Sequence, residues 1–150
     1  MLRDTISNTG QPTKIDAYGL LQVYDSVRSK WVSISRESKE FGINHKTIVN
    51  DRWMAVVSGL YSNTNGYQIV RNCIVTSVSV RTKGSSNCAV EVRKNDGVTV
   101  VTSINLVNEV SKTVDNLNIN LDVNDFIQSY LIVDSGSVGY PIVSVELAYR

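Results

Sequence analysis

The fold is decided by the stretch CAVEVRKNDGVTVV at residues 88–101. Within it Cys88, Val90 and Val92 recur at every second position, and this period of two is typical of a half-buried strand. The turn residues Asn95-Asp96-Gly97 follow, and their Asp-Gly step meets the backbone demand of a tight connection. Because another apolar run comes after the turn, the stretch predicts an antiparallel β-hairpin.

Similar short segments recur along the chain at the spacing expected of a sandwich or barrel, and no helical pattern is long enough for a crossover connection. In the segment 74–80, alternation predicts that Ile74, Thr76, Val78 and Val80 share one face. The predicted strands cover 31–35, 53–57, 74–80, 88–94, 98–101, 117–123, 126–133 and 142–149. The fold class is therefore all-β: an antiparallel two-sheet β-sandwich with about eight strands and an extended N-terminal arm; its jelly-roll-like character is implied by the family resemblance described below.

Three segments with weaker patterns are interpreted as connections between strands. They are 36–40, 83–87 and 107–114. In the third, Leu106, Val110 and Val114 have a spacing that fits one turn of helix as well as a loop, and the loop is preferred.

The composition is that of a globular chain rich in strands and turns. The 150 residues suffice for one domain with its own core. The 23 valines favour strands, because a branched Cβ loses rotamer freedom in a helix, and the 18 serines and 14 asparagines favour turns. We expect residues 30–150 to form the sandwich and residues 1–29 to form an arm or anchor.

The segment 1–29 contains an apolar and aromatic cluster that the predicted core does not explain. Such clusters are typical of contact surfaces, so its members are the predicted partner-binding residues. They are Ile15, Tyr18, Leu20, Leu21, Val23 and Tyr24.

Charge and hydropathy argue against two classes of partner. The formal net charge is +1, with no block of like charges, so nucleic acid is not expected as a partner. The first residues lack the apolar core of a signal peptide, and no apolar run reaches the roughly 18 residues that a membrane span needs. We expect no membrane partner and maturation in a cytoplasm.

The residue types that carry chemistry occur here without a recognisable catalytic or cofactor motif. His45 is the only histidine and stands in a loop-like segment without a nucleophile motif. Ser135–Gly139 is better explained as a loop between strands, and Asp122 with Asp125 as the ends of a turn than as a calcium or glycosidase pair. We expect no enzyme activity, no cofactor and no metal.

The two cysteines, Cys73 and Cys88, match no zinc spacing and are too few for a disulfide framework. We interpret them as structural buried thiols. A disulfide between them stays open if their strands are neighbours.

Four aromatic residues, Trp31, Trp53, Tyr61 and Tyr67, allow a second functional hypothesis, because aromatic rings stack on the apolar faces of sugars. Aromatic residues also cover core edges, and this explanation is preferred. Trp53, Tyr61 and Tyr67 remain the candidate glycan-facing residues of a carbohydrate-binding module.

A resemblance to a known family rests on several short motifs in a fixed order, covering about residues 23–150. The motifs are KWVSISR at 30–36 with EFG at 40–42, GY at 66–67 with RNCIVT at 71–76, VEVRKN at 90–95, LNINLDVNDFIQ at 117–128 and VSVELAYR at 143–150. In these motifs the chain is similar to small bacteriophage virion jelly-roll proteins of the head-decoration, head-fibre or tail-fibre-knob type. Asn124-Asp125 stands where the family has a glycine-containing turn, and Tyr149 where it has a tryptophan.

The resemblance implies a virion component, often trimeric, and no catalytic residues. Our main hypothesis is a homotrimeric head decoration or head-fibre protein, assembled in the host cytoplasm, whose N-terminal segment binds the major capsid protein or another virion protein. The alternatives are a tail or baseplate knob, or a carbohydrate-binding module that recognises a host surface glycan.

Overall fold

The computed structural model describes residues 5–6, 10–63 and 66–150, and these ranges consist of strands, turns and loops. None of them contains a helix with the length and apolar character needed to span a bilayer. Within the described ranges lie twelve strands: β1 (Thr5–Ile6), β2 (Pro12–Ile15), β3 (Leu21–Asp25), β4 (Lys30–Ser33), β5 (Arg36–Gly42), β6 (Arg52–Trp53), β7 (Tyr67–Gln68), β8 (Cys73–Lys94), β9 (Thr99–Val114), β10 (Ile119–Leu121), β11 (Phe126–Ser135) and β12 (Ile142–Tyr149).

The strand β8 is the centre of an eight-stranded antiparallel sheet with the order β5-β12-β8-β11-β6. Its first half pairs with β12 and its second half with β11, while β9 pairs with both halves. The side chains of both halves contribute to a single core cluster, so the sheet folds over on itself and encloses that core. This arrangement confirms the predicted all-β, two-layered antiparallel fold.

The hairpin predicted from residues 88–101 is present and is longer than the sequence indicates. Lys94 pairs with Thr99, and both Asn95 and Gly97 adopt positive φ in the turn. The strand β9 then continues to Val114, so the prediction of a loop at 107–114 is wrong. Nearly every residue of this part of β9 is exposed, and a strand with two exposed faces has no hydrophobic alternation that could reveal it.

The other two predicted connections are also wrong. Residues 83–87 lie inside β8, where irregular pairing with β9 between Arg81 and Ser86 marks a bulged segment. Residues 36–40 belong to β5, an edge strand that pairs with β12. In both segments the solvent-facing side of the strand carries polar and charged side chains. Because such residues are also typical of loops, the sequence pattern was interpreted as a loop in each case.

A β-bulge changes the alternation that was predicted for 74–80. The register with β12 skips one residue, Thr76, because Leu147 pairs with Val75 and Glu146 pairs with Ser77. Val75 therefore joins Val78 and Val80 in the main core, whereas Ile74 packs in a second cluster. A bulge inserts one extra residue and reverses the facing of all residues beyond it, which periodicity cannot show.

The remaining predicted alternations agree with the observed core except at Val123, which follows the end of β10 and is 49% exposed. Cys88, Val90 and Val92 are fully buried on one face of β8, and the aligned residues of β12 are buried in the same cluster. The core draws on β5, on β8 to β12 and on the loops between strands, and its fully buried members include Phe41, Ile48, Met54, Ile104, Leu106, Leu121, Ile127, Leu131, Val143, Val145 and Leu147.

The N-terminal segment has more structure than the arm that the sequence predicts. The strands β1 to β4 form a separate antiparallel sheet, which we call the small sheet. The strand β4, placed by the sequence at the start of the sandwich, pairs with β3 instead. Residues 1–4 and 7–9 of this segment lie outside the described residues.

The small sheet is docked on the outer side of the large sheet. Val32 is buried against Ile74 and Ala148, and Val23 packs on the same cluster. Polar contacts surround it: the Arg28 Nε donates to the Leu117 carbonyl at 2.6 Å, and the Tyr149 amide donates to the Ser33 hydroxyl at 2.9 Å. The Lys30 ammonium donates to two asparagine side chains, Asn118 and Asn120, each at 2.7 Å.

We expect Leu131→Ala to lower the free energy of unfolding by roughly 2–5 kcal/mol, because Leu131 is fully buried and truncation leaves a cavity in the shared core. Val27→Ala is the control. Val27 lies in the β3–β4 turn and is 76% exposed, so its truncation should change stability by less than about 0.5 kcal/mol. Urea denaturation of the two variants checks both values, and equal effects would contradict the assigned core.

Candidate functional site

The residues considered for catalysis lie in loops with evident backbone contacts. His45 is exposed, and its Nδ1 accepts a hydrogen bond from the Thr47 amide at 3.2 Å. The loop that contains Ser137 connects β11 to β12, as predicted, and Val138 within it pairs with Ile48 through two backbone hydrogen bonds. The described residues contain no group of three or more His, Cys, Asp or Glu side chains placed to hold a metal ion.

Both cysteines are free and buried in the main core. Burial disfavours the charged thiolate and raises the pKa of Cys73 and of Cys88 to about 11. Both residues lie on β8 and face the core, as the interpretation of structural thiols predicts.

Asp122 and Asp125 form the turn that the sequence predicts between β10 and β11. The Asp125 amide donates to the Asp122 carbonyl at 3.0 Å, and the Asp122 amide donates to the Asp125 carboxylate at 2.7 Å. Asn124 adopts a φ of 73°, in the left-handed region that asparagine accepts more readily than most other residues. The Asp125 carboxylate also accepts hydrogen bonds from Asn95 and Lys94, so it joins this turn to the β8–β9 hairpin.

The predicted partner-binding residues divide into outward and inward groups. Ile15 and Leu21 are cross-strand neighbours on either side of the β2–β3 turn and are 53% and 41% exposed. Tyr18 lies at the tip of that turn and is 74% exposed, with the Arg71 guanidinium 5.1 Å from its ring centre. We call Ile15, Tyr18 and Leu21 the tip patch.

The other members of the predicted group have contacts within the chain. Val23 packs on the cluster below the small sheet, and the Tyr24 ring stands edge-on to Trp31 with 5.5 Å between ring centres. Leu20 is half-buried and lines a groove of about 190 Å³ between the β2–β3 turn and the sandwich. The structure therefore brings only part of the predicted cluster together on an exposed surface.

Two of the three candidate glycan-facing aromatic residues line one cavity, and the third does not. Trp53 and Tyr61 lie in the wall of a cavity of about 390 Å³, which we call the Trp53 pocket. Tyr67 packs edge-on against Phe41, and its hydroxyl donates to the Glu40 carbonyl at 2.8 Å and accepts from the Val57 amide at 3.2 Å. Tyr67 is thus a covered residue at the edge of the core.

Strand pairing builds the Trp53 pocket from distant segments. Trp53 on β6 pairs with Tyr130 on β11, and their rings meet edge-on with 5.0 Å between centres. The Arg93 guanidinium lies 4.2 Å from the Tyr130 ring centre and 5.1 Å from that of Trp53. The pocket is lined by Asp51, Arg52, Trp53, Tyr61, Asn63 and Tyr130.

Sequence reasoning missed four of these lining residues: Asp51, Arg52, Asn63 and Tyr130. Tyr130 lies 77 positions after Trp53 in the chain, and only the register of β6 with β11 places them together. Asp51 and Arg52 directly precede Trp53. The one signal in the sequence for Asp51 and Arg52 was their position as polar residues next to an aromatic residue in a short strand.

Comparisons with known proteins give similarity in structure only. No protein-family model matches the chain, and no curated protein matches it. Among solved structures, the PRD1 vertex protein P5 has a TM-score of 0.48 at 9% identity, with 99% of this chain and 81% of that one covered. A chain of the cyanophage Pam1 capsid asymmetric unit has a TM-score of 0.42 at 8% identity, with 77% and 86% covered.

A third similar structure is the C-terminal CBM6 of LamC, a marine laminarinase from Zobellia galactanivorans. Its TM-score is 0.43 at 11% identity, and the match covers 73% of this chain and 98% of that one. At such scores and identities, none of these similarities identifies a function for the chain.

We expect Asp125→Asn to reduce the stability of the protein at neutral pH by about 1–2 kcal/mol, since charge-assisted hydrogen bonds in the turn are lost. Burial alone would raise the pKa of Asp125, but hydrogen bonds from Asn95 and Lys94 together lower it. A lowered folded-state pKa gives stability that is present above the ordinary Asp value of about 4 and is lost as the pH falls below it.

The measurement is urea denaturation of both proteins between pH 7 and pH 2, in which Asp125→Asn should show the shallower loss toward acid. Asp122→Asn is the control in the same turn, because the Asp122 side chain is 64% exposed and its loss should change stability by less than about 1 kcal/mol. Parallel acid profiles for the wild-type protein and Asp125→Asn would contradict the role assigned to this carboxylate.

Proposed function

We propose that the protein is a structural component of a bacteriophage virion, a homotrimeric head decoration or head-fibre protein. It binds the major capsid protein or another virion protein through the tip patch. The observation that supports this most is a set of large apolar side chains exposed at the tip of a sheet that is itself firmly docked. The order of motifs shared with small phage virion proteins supports the same function.

Docking of the small sheet makes the tip patch suitable for binding. The sheet is held by a buried apolar cluster, by hydrogen bonds that Arg28 and Lys30 donate, and by one that the Ser33 hydroxyl accepts from the Tyr149 amide. A contact surface on an ordered element loses little conformational entropy when it binds. Exposed Ile15, Tyr18 and Leu21 therefore act as preformed anchors for an apolar partner surface.

Binding by area needs no chemical step. Apolar side chains at the centre of an interface contribute most of its free energy, and a trimer multiplies a modest affinity per site through effective concentration. A protein of this kind stabilises a particle by burying surface across the boundary between its subunits.

A second exposed apolar surface supports self-association. Val57, Tyr140 and Ile142 line a groove of about 390 Å³, and Tyr140 and Ile142 also line the adjoining groove that contains Val110. These four side chains are all substantially exposed. We propose that a second copy of the chain covers this surface, which we call the association surface.

We expect the double variant Ile15→Ser, Leu21→Ser to bind particles of the phage that encodes the chain at least about tenfold more weakly than the wild-type protein, because two anchors lose their apolar area. Co-sedimentation with particles that lack the protein measures the affinity. Val49→Ser, which removes a similarly exposed side chain from a loop of the sandwich, should bind as the wild-type protein does. Undiminished binding by the double variant would refute the role of the tip patch.

We expect light scattering behind a sizing column to give about three times the chain mass of 16.6 kDa. Val57→Asp should shift the mass toward one chain, because a buried unpaired carboxylate is costly at an apolar interface. Val27→Asp, at a comparably exposed position in the β3–β4 turn, should leave the mass unchanged. A wild-type mass of one chain would contradict the trimer.

A further inference from the structure

We propose that the Trp53 pocket binds a neutral saccharide. This inference is independent of particle binding, since the pocket and the tip patch share no residue. The volume of about 390 Å³ lies within the range of roughly 300–1,000 Å³ found for small-molecule sites. The combination of aromatic walls with a carboxylate, a guanidinium and an amide determines the class of ligand.

The aromatic side chains offer apolar surface that is open to a ligand. Tyr61 is 54% exposed, and Trp53 and Tyr130 stand edge-on to each other in the same cavity wall. The ring of a pyranose has apolar C–H faces, and these pack on an aromatic ring while its hydroxyl groups point to the sides. Tyr61 is the ring that a sugar can cover without displacing a contact of the core.

The polar side chains match the hydroxyl groups of such a sugar. Arg52 is half-buried in the wall of the pocket, and its guanidinium group supplies several N–H donors there. Its Nε is buried and has no hydrogen-bond partner among the described residues. The Asp51 carboxylate accepts a hydrogen bond from the Val133 amide at 2.8 Å and has further acceptor sites. A hydroxyl group both donates and accepts, which suits a pocket that presents both kinds of partner.

The charge of the pocket favours a neutral ligand over an acidic one. Asp51 places a carboxylate beside Arg52, so a ligand carboxylate would meet repulsion as well as attraction. The other nearby guanidinium, that of Arg93, is paired with Glu91 at 2.6 Å and donates to the Gly97 carbonyl. It is therefore occupied in holding the rings of Trp53 and Tyr130.

The pocket is preorganised because its walls are pinned to the large sheet. The buried Ser62 hydroxyl donates a hydrogen bond to the Ser129 carbonyl and accepts one from the Ser129 backbone amide, each at 3.1 Å. The side-chain amide of Gln128 donates to the Ser62 carbonyl at 2.8 Å. These bonds fix the segment that carries Tyr61 and Asn63. A site held in its binding conformation avoids the entropy loss of ordering a loop on binding.

The experiment is a glycan array with the full chain, followed by calorimetric titration of the glycans that bind. We expect the protein to bind at least one neutral pyranose-containing glycan. Tyr61→Ala should weaken that binding by about tenfold or more, equivalent to about 1.4 kcal/mol, and so should Arg52→Gln. Tyr18→Ala, which removes a more exposed tyrosine from the tip patch, should leave binding unchanged.

Thermal unfolding of each variant separates loss of the site from loss of the fold, and Tyr61→Phe provides a variant that keeps the ring. Tyr61→Phe should retain most of the affinity if the ring stacks on the sugar. The proposal is overturned if no glycan binds at millimolar concentration, if only acidic glycans bind, or if folded Tyr61→Ala and Arg52→Gln bind as tightly as the wild-type protein. Each of these results leaves the particle-binding measurement unaffected.

Discussion

The structure depends on the continuous strand β8, whose 22 residues pair in both layers of the sandwich. One edge of β8 pairs with β9. The other edge pairs with β12 along the first half of β8 and with β11 along the second half. If β8 were straight, β12 and β11 would lie end to end and could not share a core. The irregular segment 82–86 lets the two halves of β8 face each other. Its two buried hydroxyl groups both have hydrogen-bond partners. The Thr82 hydroxyl donates to the Gly84 carbonyl at 2.9 Å, and the Ser86 hydroxyl donates to the same carbonyl at 3.3 Å.

The same strand determines where the small sheet can dock. The bulge at Thr76 turns Ile74 outward, and the cross-strand neighbour Ala148 lies beside it on β12. Together they form the small apolar surface that Val32 covers. Because this surface is limited, most of the remaining contacts are polar, and they reach backbone carbonyls and asparagine side chains that a sheet edge leaves available. The extra residue of this bulge therefore determines where the small sheet docks, and with it where the tip patch lies relative to the main core.

The sequence predicted the fold class, the β8–β9 hairpin and the inner faces of β12 and of the second half of β8, because each of these has one buried and one exposed side. It did not predict the extent of β9, since Val107 and Val110 are exposed in the part of that strand that has no buried face. Nor did it predict the altered facing of Ile74 and Val75, which depends on a bulge. The small sheet escaped prediction for a related reason: its buried residues include Thr13 and Gln22, and polar residues in buried positions remove the expected alternation. For the site, composition pointed to Trp53 and Tyr61, but pairing between β6 and β11 was needed to add Tyr130 and to separate Tyr67 from them.

The aromatic residues of the Trp53 pocket divide into structural and accessible members, and the β8–β9 hairpin is the cause. Gly97 occupies its turn with positive φ, and a Cβ added there would lie 3.2 Å from the Trp53 ring. The tight turn therefore brings backbone against one part of Trp53 while Arg93 and Tyr130 approach its ring, which leaves Trp53 half-buried. Tyr61 has no such cover, because its segment is fixed through the buried neighbour Ser62 and not through its own ring. The Asn95-Asp96-Gly97 turn, which is predicted from the sequence, thus limits which aromatic surface of the pocket can contact a ligand.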